Sequence, residues 1–202
     1  MAVPSLPSSA TPASAGRSKA DWRRHGLELR RDYARSLGAE QRRALQEALR
    51  DIVVPRLITA RIIGLYHPLR DEIDPQPIAD ALAERQKAAF PWFASRDSRM
   101  IWRAGPAAEP SPWGMLQPPG TAPALAPDLV IVPLVIADRR GTRIGHGKGH
   151  FDRALSHLRE AGPVFTLGVG WEPQLVDETL PRDAWDIPLD AVATPAGWVD
   201  CR

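Results

Sequence analysis

The spacing of apolar positions divides the chain into helices and strands that alternate. Between Lys19 and Leu37, the positions Trp22, Gly26, Leu29, Tyr33 and Leu37 follow the 3–4 spacing of one helix face. Gly38 interrupts the pattern. A second helix is expected from about Ala39 to Val53, where Leu45, Ala48, Leu49, Ile52 and Val53 fall on one side. Arg61–Tyr66 then reads as a short β-branched strand and Pro77–Gln86 as a helix with proline in its first turn. Ala88–Phe93 is a candidate strand, followed by a weaker one at Met100–Trp102.

From Gly105 to Pro127 there are seven prolines in 23 residues, which excludes regular structure for most of that stretch. Leu129–Val135 is a continuous apolar run, the pattern of a strand covered on both faces, with Pro133 near its end or at a bulge. A loop, a helix from about Phe151 to Glu160, a strand at Val164–Val169 and a last strand at Leu189–Thr194 complete the pattern. Helices that alternate with apolar strands predict an α/β fold. Its mostly parallel sheet is flanked by helices and preceded by an N-terminal helical pair. There is no internal repeat.

Composition changes this picture little. The 202 residues, 44% hydrophobic and 25% charged, suit a single α/β domain over 19–202. No apolar run approaches the ~20 residues of a membrane helix. The single cysteine, Cys201, forms no intrachain disulfide and suits a reducing compartment, so a cytoplasmic location is expected. Residues 1–18 are rich in Ala, Ser and Pro without an apolar core, and are expected to form a disordered tail rather than a secretory signal. The net charge of +2 is uneven, because residues 17–50 hold ten Lys/Arg against five Asp/Glu. Such a basic helical region serves an anionic ligand, a nucleic acid or solubility alone.

The chemistry concentrates in Asp138–Asp152. Gly141, Gly145, Gly147 and Gly149 fall within nine residues, beside Arg143, His146, Lys148 and His150. Alternating glycines allow concave arrays of N–H groups that hold phosphate oxygens. The loop follows a buried strand and precedes a helix, which puts it at the carboxyl edge of a parallel sheet. It is neither a Walker A loop, since no Ser/Thr follows Gly147-Lys148, nor a dinucleotide fingerprint. A glycine-rich turn with solvated charges has the same local pattern. Asp152 is either a dipole partner of its helix or a Mg²⁺ ligand. Asp186 and Asp190 can turn back toward the loop. Lys19, Arg23 and Arg30 cluster on one side of the first helix, and Glu72 follows a strand by a short loop. Of the seven tryptophans, most are expected in packing and one or two as platforms for a flat heterocycle.

Three blocks resemble the 5-formyltetrahydrofolate cyclo-ligase family. Lys19-Ala-Asp-Trp-Arg23 is similar to the family's Lys-x-x-x-Arg element, which contacts the nucleotide. Tyr66-His-Pro-Leu-Arg-Asp-Glu72 is similar to the segment whose glutamate lines the folate pocket. Arg143-Ile-Gly-His-Gly-Lys-Gly-His-Phe-Asp152 resembles the signature Arg-Leu-Gly-x-Gly-x-Gly-Tyr-Tyr-Asp, with His150-Phe151 in place of the usual Tyr-Tyr. Trp113–Pro118 and Gln174–Asp190 add weaker support.

The resemblance implies a NagB/RpiA/CoA transferase-like fold. It implies ATP and Mg²⁺ acting on 5-formyltetrahydrofolate to give 5,10-methenyltetrahydrofolate, ADP and phosphate through an imidate phosphate. Arg143 and Lys148 are then the catalytic cations. Lys19, Arg23, Arg143, Ile144, Gly145, His146, Gly147, Lys148, Gly149, His150 and Phe151 are the expected nucleotide contacts. His67, Glu72, His146, Gly147, Lys148, Gly149 and His150 are the expected folate contacts, and Asp152 and Asp186 the metal ligands. A monomer that binds neither nucleic acid nor membrane is expected. The alternative is a family member that binds folate or nucleotide without chemistry.

Overall fold

The computed structural model describes residues 16–201. The tail expected over 1–18 lies outside the described residues for 1–15. Its end is not tail-like: Ser18 caps the first helix, accepting from the Asp21 N–H at 3.2 Å while its own N–H donates to the Asp21 carboxylate at 3.3 Å. Arg17 lies over the Trp22 ring.

The helices are α1 (Lys19–Ser36), α2 (Ala39–Val53), α3 (Gln76–Asp80) and α4 (His150–Ala161). The strands before the glycine-rich loop are β1 (Ile62–Gly64), β2 (Lys87–Trp92), β3 (Ile101–Ala104), β4 (Glu109–Pro110), β5 (Leu116–Gln117), β6 (Ala124–Leu125), β7 (Leu129–Pro133), β8 (Ile136–Asp138) and β9 (Arg143–Ile144). After α4 come β10 (Phe165–Val169), β11 (Leu175–Val176), β12 (Ala191–Thr194) and β13 (Gly197–Asp200).

An eight-stranded sheet runs in the order β13-β12-β10-β7-β1-β2-β3-β6. The five central strands are parallel, and β13, β3 and β6 close the edges antiparallel. The α/β sheet expected from the pattern is present. Alternate residues of the apolar run on β7 point to opposite faces. Ile131 packs with Leu49 and Val53 of α2, while Val130 and Val132 pack with Ala154 and Leu155 of α4. That two-sided burial is why β7 shows no polar alternation. On α1 the buried face is Trp22, Gly26, Arg30 and Ala34, with Leu29, Tyr33 and Leu37 half-buried.

Three local expectations need correction. The helix expected at Pro77–Gln86 stops at Asp80, because Gln86 turns its side chain inward and donates to the carbonyls of Leu57 and Ala60. Ala191–Thr194 is not the last strand, since β13 folds back along it. The segment between β7 and α4 is not a plain loop. Asp138 accepts from the N–H groups of Thr142 and Leu180 at 2.9 and 3.0 Å, and this holds a β8–β9 hairpin to which β11 adds. The glycine-rich loop therefore leaves from β9.

The sheet order fixes what faces what. β1 and β7 are neighbours and parallel, so the chain leaving β1 toward Glu72 and the chain leaving β7 toward Gly145 emerge at the same carboxyl edge.

Candidate active site

A cleft of about 1070 Å³ opens at that edge. Its floor is the glycine-rich loop. Gly147 and Gly149 have φ of 84° and 63°, in the left-handed region that side chains disfavour. Gly149 is the N-cap of α4 and brings no capping side chain, so the first-turn N–H groups of that helix stay open to a ligand. Arg23 on α1 steadies the loop by donating from Nε to the Gly145 carbonyl at 2.8 Å. Lys148 is exposed, with its Nζ 5.9 Å from the centroid of the Trp113 ring.

Arg143 is placed differently from a free catalytic cation. Its side chain is only 6% exposed, and it donates to Asp152 Oδ1 at 2.5 Å and to the Ile187 carbonyl. Burial pulls its guanidinium below the usual arginine value against the opposing pull of Asp152, but an arginine does not lose its proton at such a site. Arg143 thus anchors Asp152 and the 182–187 loop. Asp152 is not the N-cap, although it lies in the first turn of α4.

Across from it, Lys19 at the start of α1 bridges Asp183, at 2.7 Å, and Asp186. Burial works against the charge of Asp186. The hydrogen bonds from Lys19 and the Asp183 N–H, with the charges of Lys19 and Arg143, outweigh it and hold the carboxyl below the usual aspartate range. Burial likewise opposes the charge of Lys19, and the two aspartates outweigh it and raise the ammonium. Asp190, the other acid of this segment, is buried and accepts from the Thr166 N–H and hydroxyl at 2.7 and 3.0 Å, a structural role away from the loop.

The opposite wall carries Glu72, whose carboxylate is 4% exposed. Arg30 donates to Oε1 at 2.8 Å, the Leu69 N–H donates to Oε2 at 2.9 Å, and His146 Nε2 lies 3.3 Å from Oε1. Tyr66 and Trp171 pin the segment by donating to the carbonyls of Ile73 and Asp71. His67 stacks on Phe90 with centroids 4.5 Å apart, and its buried Nε2 has no partner among the described residues. Burial lowers its basicity, with Asp74 pulling the other way.

A third wall is aromatic. His150 sits 5.0 Å from Phe93 and 5.1 Å from Trp113 between ring centroids, and Arg153 meets its Nδ1 at 3.1 Å. Burial first, then Arg153 and Lys148, lower its basicity. Gln117 accepts from the Phe93 N–H and donates to the Phe93 carbonyl, fixing the proline-rich segment against the end of β2. Phe93 carries no motif that singles it out, and Gln117 and Asp183 lie within the weaker blocks without being marked there. They reach the cleft only through pairing of distant segments.

Among the described residues no group of three or more His, Cys, Asp or Glu converges as a metal site. Two carboxylates face the cleft with room for a ligand. Asp152 uses Oδ1 for Arg143 and the Ile187 N–H, and Asp186 uses Oδ2 for Lys19 and the Asp183 N–H. Each keeps its other oxygen unbonded among the described residues. That donor set fits Mg²⁺, which takes one or two carboxylates and fills its shell with water and phosphate oxygens.

The sequence model of the 5-formyltetrahydrofolate cyclo-ligase family matches residues 15–195. The chain belongs to that family. It is 30% identical over 183 residues to the 5-formyltetrahydrofolate cyclo-ligase of Escherichia coli strain K12, covering 82% of this chain and 96% of that one. To the cyclo-ligase of Mycolicibacterium smegmatis it is 29% identical over 195 residues, covering 89% and 94%. The solution structure of Aquifex aeolicus 5,10-methenyltetrahydrofolate synthetase superposes with a TM-score of 0.72 at 27% identity, over 91% of this chain and 93% of that one. The Mycoplasma pneumoniae synthetase shares the fold, with a TM-score of 0.66 at 20% identity, over 89% and 99%. All three expected site blocks of this cyclo-ligase family member lie within the matched span.

Proposed function

We propose that the protein converts 5-formyltetrahydrofolate to 5,10-methenyltetrahydrofolate at the expense of ATP, with Mg²⁺. The observation that carries this reading is the cleft itself. It sets a glycine-rich phosphate cradle with an uncapped helix end opposite a buried carboxylate and an aromatic wall. At about 1070 Å³ it is large for one small ligand and suits two.

A formyl oxygen on nitrogen is a poor leaving group, and its carbon a poor electrophile. Transfer of the γ-phosphoryl group of the co-substrate ATP to that oxygen releases ADP and leaves an imidate phosphate. N10 of the folate attacks the formyl carbon and loses its proton. The C–O bond breaks, and phosphate departs with the former formyl oxygen. Such chemistry asks for positioning and charge neutralisation rather than a protein nucleophile.

In this assignment the amides of Gly145–Gly149 and the exposed ammonium of Lys148 receive phosphate oxygens. Asp152 and Asp186 hold Mg²⁺, which neutralises phosphate charge when bound. Arg143 orients Asp152 rather than meeting phosphate. Lys19 and Arg23 set the positions of Asp186 and the loop, and can turn to phosphate when it arrives. Glu72, fixed by Arg30, accepts N–H donors of the reduced pterin. His67, His150 and Trp113 border the flat ring. A cytoplasmic monomer belongs to the same proposal.

The test omits one component at a time. Methenyl product, followed by its absorbance, is expected only with ATP, Mg²⁺ and 5-formyltetrahydrofolate together, with one ADP per product. Tight binding of folate or nucleotide without product would instead support a non-catalytic member.

A further inference from the structure

The cleft contains a connection that neither ligand requires. Arg30 and Glu72 form a buried ion pair between α1 and the wall after β1, at 2.8 Å. The same Glu72 oxygen faces His146, which stands in the middle of the glycine-rich loop. Three residues, Gly145, Glu72 and His146, are thereby tied to one helix. Arg23 holds the Gly145 carbonyl directly, and Arg30 holds His146 through Glu72. His146 is flanked by Gly145 and Gly147, so neither neighbour has a side chain to fix the backbone at that point.

We propose that His146 is a latch: its Nε2–H donates to Glu72 and holds the glycine-rich loop in its phosphate-receiving shape, so that Glu72 governs nucleotide binding without touching it. Glu72 and Arg30 are then positioning residues for the phosphate loop. The proposal rests on the nucleotide reading of the loop. It alters what that reading alone implies, namely that a change at Glu72 is felt by the folate only.

The geometry supports donation rather than chance proximity. Glu72 cannot swing away, because Arg30 fixes Oε1 and the Leu69 N–H fixes Oε2. Its charge is shielded from water, which strengthens a bond to any donor that reaches it. His146 is half-exposed and the contact is 3.3 Å, so the effect belongs in the range of an ordinary hydrogen bond, below that of a well-aligned bond to a charged group.

The test is a double-mutant cycle on the full chain, with circular dichroism confirming the fold. His146→Leu and Glu72→Gln are each expected to weaken a non-hydrolysable ATP analogue with Mg²⁺ by about three- to tenfold, without folate present. The double variant is expected to be no weaker than the worse single one, and His146→Gln, which keeps a donor, to stay within about twofold of wild type. Fully multiplied effects, or an unchanged affinity in Glu72→Gln, overturn the latch.

Amide hydrogen exchange across residues 145–149 gives a readout that needs no nucleotide. Exchange is expected to quicken in both single variants and no further in the double one. Quickened exchange in a protein that does not bind the analogue at all would sink the nucleotide reading and leave the latch standing. Unchanged exchange in both variants overturns the latch whatever the nucleotide does.

Discussion

Replacing Arg30 by methionine tests the frame on which the Glu72 wall of the cleft depends. Arg30 and Glu72 side chains are 6% and 4% exposed and meet at 2.8 Å. Removing one partner of a buried ion pair strands the other charge and costs about 3–5 kcal/mol. At about 2–4 °C per kcal/mol for a chain of this size, the melting temperature of Arg30→Met is expected to fall by roughly 6–20 °C. Adding Glu72→Leu removes the stranded charge. It also deprives the Leu69 N–H of its acceptor, at about 1–3 kcal/mol if that group stays dry. The double variant is therefore expected to regain about half of the lost stability, while product formation from 5-formyltetrahydrofolate stays impaired because the carboxylate is gone. Thermal unfolding by circular dichroism and the methenyl assay separate the two effects. A single variant within about 2 °C of wild type, or a double variant less stable than the single one, would refute the reasoning.

Other expectations follow from the same geometry. Lys148→Ala should raise the KM for ATP and lower kcat, for a loss in kcat/KM of about tenfold or more, because Lys148 is the exposed cation of the loop; steady-state titration of ATP checks this, and unchanged constants would move the phosphates elsewhere. Asp152→Asn should shift activation to higher Mg²⁺ concentration; an unchanged midpoint would leave Asp152 as the partner of Arg143 alone. The carboxyl of Asp186 is held below its ordinary value, so its contribution to stability is present above the unfolded-state value and lost as pH falls through the depressed one. Lys19 is raised, so its contribution is full below the ordinary lysine value and lost as pH rises through the raised one. The stability difference between wild type and Lys19→Ala should accordingly be greatest near neutral pH and shrink at both extremes; denaturant melts across pH read it, and a difference that grows in acid contradicts the pairing.

What could be read from the sequence divides along physical lines. Elements with long periodic patterns were legible: α2 lies at Ala39–Val53 and the continuous run of β7 is covered on both faces. Elements held by single side chains were not. Gln86 ends α3 early through bonds to carbonyls near residue 57, and Asp138 makes a hairpin where glycines alone suggest a loop. The loop at Gly145–Gly149 was visible from its glycines, because left-handed backbone at Gly147 and Gly149 demands that residue type. Arg143 reads as a phosphate contact because a cation beside a glycine-rich loop usually is one; its pairing with Asp152 is not legible, since it depends on the 182–187 loop, 44 residues on by the Ile187 contact. Arg30 was visible as one of three basic residues, with Lys19 and Arg23, grouped on one side of α1, yet nothing local distinguishes the one that is buried.

The fate of the formyl oxygen tests the central claim most directly. With 5-formyltetrahydrofolate carrying ¹⁸O in its formyl group, ATP and Mg²⁺, the released phosphate is examined by mass spectrometry. Phosphoryl transfer to the formyl oxygen followed by ring closure predicts one labelled oxygen in each phosphate formed with product. Unlabelled phosphate accompanying methenyl product, or phosphate released with no methenyl product, would contradict the account.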